Sequence, residues 1–583
     1  MKIEPMVGTL KTVGLVIVVV AFPLTNGSAL AASGTWINTA GGNWSNAANW
    51  SGGTIADGAT FTGDFSTLDI TSNIIITIDT TSRTLGILNI GDSNGSNSYT
   101  ITRNGGATLT FDNGGSNAQL NVIATSAGDS LDQDIRLKDS LDIANPSANT
   151  LTFSGSIQSS ATSGIQVLSL LSGNADIISA ISNGGTGGTI AVNKSGDGTL
   201  TVSGSNTYTG GTTVSGGTLA LGNSLSGTPL GTGTLTLSDG VTVRSTGAGL
   251  INNRTVQNAV SVSGTVTLGN AVNNGTVIFN GTSLGNGVTL TGNTTLFTAS
   301  AAVIDNVISG AFSLTKDGTS QLTLTNANTY SGGTFIEGGA LRFSNSSALG
   351  SGDVTIGAPG GGPTTLSWVG GTATISNNIT VATGGFRFLE TATGAPTYSG
   401  TVTLNGNLSV ISAAAGVTLN GTISGVGGIM LISSGQLTLS GANTYSGGTT
   451  VNTPGATLIA NGDGTLGTGN VSLTAGSVTL TLQGGVSQNY IADTATLSYV
   501  NTDVINLNYN GSDTIAGLIV DGVAQAPGTY GAGAINPDGA FTGTGFIVVV
   551  PEPSTLILLM SAAALAGTGY LRRRHFGRIS HRA

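Results

Sequence analysis

The sequence predicts an all-β protein: a parallel β-solenoid, preceded by a signal helix and followed by one short transmembrane helix. Three observations carry this expectation. Three passages far apart in the chain are near copies of one another, which calls for a stacked repeat architecture before any other fold. Within each copy, apolar and polar residues alternate as in half-buried strands. Glycine supplies 94 of 583 residues, while only 8% of residues are charged and 5% are aromatic. Such a chain has few large side chains for a bulky core, yet at 38% hydrophobic it is too apolar for disorder.

The first element is an export signal over residues 1–31. Lys2 and Lys11 give a basic start, residues 13–24 (VGLVIVVVAFPL) form the apolar core, and Ala29 and Ala31 fit a small-residue cleavage site. The apolar run is short for a membrane span.

A solenoid region follows over residues 32–190. It opens on GTWINTAGGNWSNAANWSGG, where Trp36, Trp44 and Trp50 are expected to close the end of the column, since terminal coils need covering. A sugar-binding platform is the alternative role for them. TSNIIITIDT and SYTITRNGGATLTFDNGG read as further strands and turns. The densest charge cluster is GDSLDQDIRLKDSLD, in which Asp132, Asp134, Arg136 and Lys138 alternate with apolar Ile135 and Leu137. On a strand these charges share one face, and a solvated outer face is the plain expectation. The sharper alternative is a polysaccharide lyase site, with Asp carboxylates holding Ca²⁺ and Arg136 or Lys138 as the base. That alternative requires charged residues stacked in neighbouring coils. GGTGG at residues 184–188 lacks the strand, helix and Lys of a phosphate cradle and reads as a turn.

The repeats fall in a solenoid region over residues 191–490, near 194–237, 316–356 and 431–473. They read GTLTVSGSNTYTGGTTVSGGTLAL (198–221), SQLTLTNANTYSGGTFIEGGALRF (320–343) and GQLTLSGANTYSGGTTVNTPGATLIA (435–460). A strand is followed by Asn-Thr-Tyr and Gly-Gly turn signals, then by a second strand. Leu200 and Leu219 are 19 positions apart, as are Leu322 and Leu341; Leu437 and Leu458 are 21 apart, and Pro454-Gly455 accounts for the difference. A third strand follows near Leu235, Val354 and Val471. A strand returning every 13 to 21 residues is one coil, read directly from these spacings. That is too short for the roughly 40 residues of a four-stranded propeller blade. Stacked coils bury a continuous apolar column, and Gly supplies corners that need positive φ. Asn206, Asn328 and Asn443 are expected to cap backbone groups in the turns, with Tyr208, Tyr330 and Tyr445 packing at coil corners. Stacking of these tyrosines on sugars is the alternative.

Residues 491–550 read as a cap on the column, because solenoid ends need one. Residues 551–583 form a separate tail. Pro551, Glu552 and Pro553 precede a 17-residue apolar stretch at 555–571, which Arg572, Arg573 and Arg574 follow at once. The stretch sits at the lower edge of spanning length, and the arginines would hold its end on the cytoplasmic side.

Composition excludes several chemistries. There is no Cys, and both His residues, His575 and His581, lie in the tail. The body therefore offers no thiolate and no imidazole as nucleophile, base or metal ligand. Between residues 32 and 550, ten basic and 25 acidic residues leave a net charge of −15. An acidic surface argues against nucleic acid as a partner and against adhesion to anionic lipid. No cofactor is implied.

These residues carry two resemblances. LTLSGANTYSGGTTV is similar to the autotransporter-associated β-strand repeat of large exported bacterial surface proteins, which implies a right-handed parallel β-helix. Residues 513–549 and the Trp-containing start resemble the closing and opening segments of such proteins. The chain lacks the long alternating strands of an autotransporter's membrane barrel, so self-secretion is not implied. Pro-Glu-Pro, an apolar stretch and an Arg cluster, in that order at the C-terminus, resemble the PEP-CTERM sorting signal. That resemblance implies processing by an exosortase near Pro551–Pro553 and a bacterium that makes extracellular polysaccharide. Together they lead to the expectation of an exported structural or adhesive surface protein, in the inner membrane during transit and then on the cell surface or in the matrix. Its expected partners are exosortase, the secretion machinery and extracellular polysaccharide. A polysaccharide lyase or hydrolase on the same scaffold, and a permanently anchored single-span protein, are the alternatives.

Overall fold

In the computed structural model, residues 31–222, 229–249, 252–281, 285–413 and 415–550 are described. None of them is in an α-helix; the chain is almost entirely short strands, with three-residue 3₁₀ turns such as Ala47–Asn49. The strands wind into a β-solenoid of about 19 turns. Ala29, the tail residues Pro551, Glu552, Pro553, Arg572, Arg573 and Arg574, and the apolar stretch 555–571 lie outside the described residues. Ala31 is exposed at the start of the described part. No described helix is long and apolar enough to cross a membrane.

The alternation seen in the sequence is the alternation seen in space. Strand Thr199–Val202 buries Leu200 and Val202 and turns Thr199 and Thr201 outward, and most strands repeat this pattern. Each strand pairs in parallel with the one a coil earlier and the one a coil later. The spacings within the repeats are the register itself: Leu200 pairs with Leu219, Leu322 with Leu341 and Leu437 with Leu458. Outside the repeats the coils are longer than the expected 13 to 21 residues. Ile76 pairs with Ile101, 25 residues on, and both Thr100 with Ser130 and Val266 with Leu296 are 30 apart. The strands are constant and the corner loops are not, because lengthening a surface loop costs little closure entropy.

Three strands make one coil, so the column has three faces. One begins at Gly34–Thr35, a second at Gly42–Asn43 and a third at Arg83–Leu85. Val, Leu and Ile from all three meet in one continuous buried cluster.

Both ends are closed. At the first, Trp36, Trp44, Trp50 and Phe65 are buried against one another, with Trp50 at the centre: its ring lies 5.2 Å from both Trp36 and Trp44 and 5.4 Å from Phe65. Each indole N–H donates to a carbonyl, Trp44 to Ala56 and Trp50 to Trp44. At the other end, the parallel pattern gives way to antiparallel pairings of Gly517–Val520 with Val523–Ala524 and of Gly528–Tyr530 with Phe546–Val549.

Under this closing region Asp513 is buried. Its Oδ2 accepts from the backbone N–H groups of Tyr490 and Ile491, and Oδ1 has no partner. Burial pushes its carboxyl up to about 7. The folded state therefore binds the proton more tightly than the unfolded chain. The associated stability is present below pH 4 and is lost as pH rises to about 7, up to about 4 kcal/mol. Hydrogen exchange across residues 490–549, corrected for intrinsic rates, should show stronger protection at pH 5 than at pH 8. Asp513→Asn should flatten that dependence; an equal slope in the variant would assign it elsewhere.

Candidate functional site

Three sets of residues were singled out in the body: the repeat turns, the charge cluster and the N-terminal tryptophans. The tryptophans form the buried end described above.

The turn of each repeat is built the same way. Asn206, Asn328 and Asn443 are buried, and each joins three consecutive coils. Their Oδ1 atoms accept from the N–H of Ile181 (2.6 Å), Ile308 (2.8 Å) and Ile423 (2.7 Å) on the preceding coil. Their Nδ2 atoms donate to the carbonyls of Pro229 (2.6 Å), Ala348 (2.6 Å) and Thr465 (2.7 Å) on the following coil. These asparagines thus bond neighbouring coils rather than closing their own turns. Tyr208, Tyr330 and Tyr445 are fully buried, and each hydroxyl bonds the threonine four residues on, at 2.6, 2.6 and 2.5 Å. Gly350, at φ 70°, lies directly over Tyr330; a Cβ there would come within 2.5 Å of the Tyr330 carbonyl oxygen. Gly231 and Gly467 stand in the same relation to Tyr208 and Tyr445. No tyrosine face is open to a sugar.

The placement of these turns was not legible in the sequence. Ile181 lies in the last strand of the five-stranded sheet on the third face. Ile308 lies in the last strand of its ladder on the first face, and Ile423 in the last of its ladder on the second. Each repeat interrupts a different face, where Thr207, Thr329 and Thr444 keep one backbone bond to those isoleucines. Strands resume two or three coils later with Arg254–Val256, Thr374–Ile375 and Ser512–Ile515. The copies do not stack upon one another.

A second feature of the repeats also escaped sequence reading. Lys194 and Lys316 are completely buried. The Lys316 ammonium donates to the carbonyls of Asp317, Gly318 and Gly338 at 2.8–2.9 Å, and burial pulls it down to about 8. Lys194 bonds the carbonyls of Gly196, Asp197 and Gly216 in the same way. Leu431 occupies this register in the third copy, opposite Val451 as Lys316 is opposite Ile336.

In the charge cluster each group is bonded to a neighbouring coil. Asp134 pairs with Arg103 and accepts from the Ser156 N–H and hydroxyl; burial opposes this, but the bonds hold its carboxyl below the ordinary range. Lys138 pairs with Asp112 at 2.5 Å, Arg136 bonds Gln158, and Asp132 accepts from Ser130 and Ser154. Across the coils Arg136 has Thr110 on one side and Gln158 on the other, so no column of like charges forms. Among the described residues no group of three acidic side chains is placed to hold a metal.

Against this geometry the comparisons with known proteins are specific. The passenger-associated-transport-repeat family matches residues 192–221, 314–343 and 433–460, which are the three turns with their flanking strands. The PEP-CTERM protein-sorting motif matches residues 549–574. The chain carries both. It is also similar to the adhesin BmaC autotransporter of Brucella suis biovar 1 (strain 1330), at 28% identity over 329 residues, 53% of this chain. Those residues span 8% of that adhesin's length. No solved structure matches the chain.

Proposed function

We propose that this is an exported, non-enzymatic surface protein whose solenoid acts as an adhesive or structural rod in extracellular polysaccharide. The export and surface location follow from the sorting motif and from likeness to a surface adhesin. The observation that carries the rod reading is the inter-coil asparagine device, which keeps the column continuous wherever one face is interrupted. We take the coil connections as right-handed, as parallel crossovers almost always are. Contact with polysaccharide would be multivalent, many weak affinities summing along one tethered rod.

We propose further that the tail is an address. An exosortase would cut near Pro551, Glu552 and Pro553, after the apolar stretch 555–571 and the basic cluster Arg572, Arg573 and Arg574 have held the chain in the inner membrane. A permanent single-span anchor is the competing reading. Intact mass and C-terminal peptides of the protein from its native cell surface separate the two. Chains ending near residues 550–553 are expected. Mature surface protein still carrying residues 572–583 would overturn processing and leave the rod intact.

A further inference from the structure

One part of the outer surface differs from the rest of this acidic rod. Strands Gly339–Phe343, Thr364–Trp368 and Arg387–Thr391 lie side by side on the third face. Their register places Ala340, Thr365 and Phe388 in one outward row and Arg342, Ser367 and Glu390 in the next.

Four observations converge there. Phe386 is 67% exposed and stacks on Phe388 with ring centres 6.2 Å apart and planes 17° apart. Of the ten basic residues among those described, Arg342 alone has neither an ion pair nor a hydrogen bond; the others are all committed to carbonyls, carboxylates or amides. Ser367, between Arg342 and Glu390, is buried with its hydroxyl unpartnered. A groove lined by Thr319, Gly339, Ala340, Pro363 and Thr365 adjoins the row of Phe388.

The site is also held rigid from beneath. Arg387 points inward between the two phenylalanines and is buried. Its guanidinium donates to the carbonyls of Gly362 (2.5 Å) and Ala358 (2.6 Å) in the glycine-rich corner at the groove's edge. A Cβ on Gly357 would fall 1.8 Å from Arg387 Nε, so only glycine leaves room for this arrangement. A corner fixed in advance loses little freedom on binding.

We propose that this patch is a binding site for an uncharged hexose polysaccharide. The flat faces of Phe386 and Phe388 suit the C–H face of a pyranose ring. Arg342 donates and Glu390 accepts, and a sugar hydroxyl does both. Two strand spacings, about 10 Å, separate these side chains at the backbone, roughly the length of a disaccharide. A net charge of −15 on the body disfavours a polyanion. The proposal rests on the polysaccharide reading above and gives it a location.

The test is affinity electrophoresis of the full-length protein in gels containing dextran, laminarin, mannan or, as the anionic arm, alginate. Retardation by at least one neutral polymer is expected. Phe386→Ala/Phe388→Ala should weaken it at least tenfold with the thermal unfolding midpoint unchanged, and Arg342→Ala about threefold. Retardation that survives the double variant overturns this site and leaves the polysaccharide reading standing. Retardation by alginate alone overturns the uncharged specificity. No retardation by any polymer overturns both.

Discussion

Trp50→Ala is expected to destabilise the first coils by about 3–5 kcal/mol, the usual cost of emptying a large aromatic site in a core. Trp50 is the ring on which Trp36, Trp44 and Phe65 all pack, and its N–H satisfies the Trp44 carbonyl. The loss should stay local. Each coil of a solenoid touches only its neighbours, so stability is a sum of coil and interface terms. Hydrogen exchange should speed up in strands such as Thr62–Phe65 and Ile74–Ile78 and remain unchanged near Thr457–Asn461. A uniform loss of protection along the whole rod would show that it unfolds as one unit, against the closing role of this end.

Asn328→Ala should rank beside it, at about 2–6 kcal/mol. The substitution strands two buried backbone groups, the Ile308 N–H and the Ala348 carbonyl, and each orphan costs about 1–3 kcal/mol. Asn328→Asp is an informative companion. It keeps an acceptor for Ile308 but sets a carboxylate oxygen against the Ala348 carbonyl, so it should not rescue. Limited proteolysis should show new cleavage between residues 308 and 351 in both variants. If Asp behaves as wild type, the bond to Ile308 carries the whole effect and the three-coil bridge is not needed.

These asparagines explain why the same short passage occurs three times. An interrupted face leaves the last strand's N–H groups without a ladder partner, and buried orphans are expensive. Asn supplies one acceptor and one donor in a single side chain, enough to bridge the gap. The buried tyrosine fills the volume beneath, and its hydroxyl finds the threonine four residues on. The position of Lys316 tolerates Leu in the third copy, so its carbonyl cage is a variation on the repeat rather than a requirement.

Much of this was legible in the chain. Alternation of period two marks the strands, and the 19- and 21-residue spacings of the leucines are the pairing register. Composition set the architecture, since short strands with glycine corners can bury small side chains without a large aromatic core. The sorting motif is local in sequence, so order and position identified it without any structure.

Other features depended on how the coils stack. The repeats lie on three different faces because the corner loops between them vary in length, and nothing local counts thirds of a turn. Alternation also says that Phe386, Phe388 and Glu390 oppose Arg387 and Leu389, but not which set faces in. Hydrophobicity alone would bury the phenylalanines. The tertiary structure decides otherwise, because Leu389 must meet Leu366 in register and the corner carbonyls of Ala358 and Gly362 satisfy the arginine. A charge can enter the core only where the backbone pairs it, and that pairing exists only once the neighbouring coil is in place.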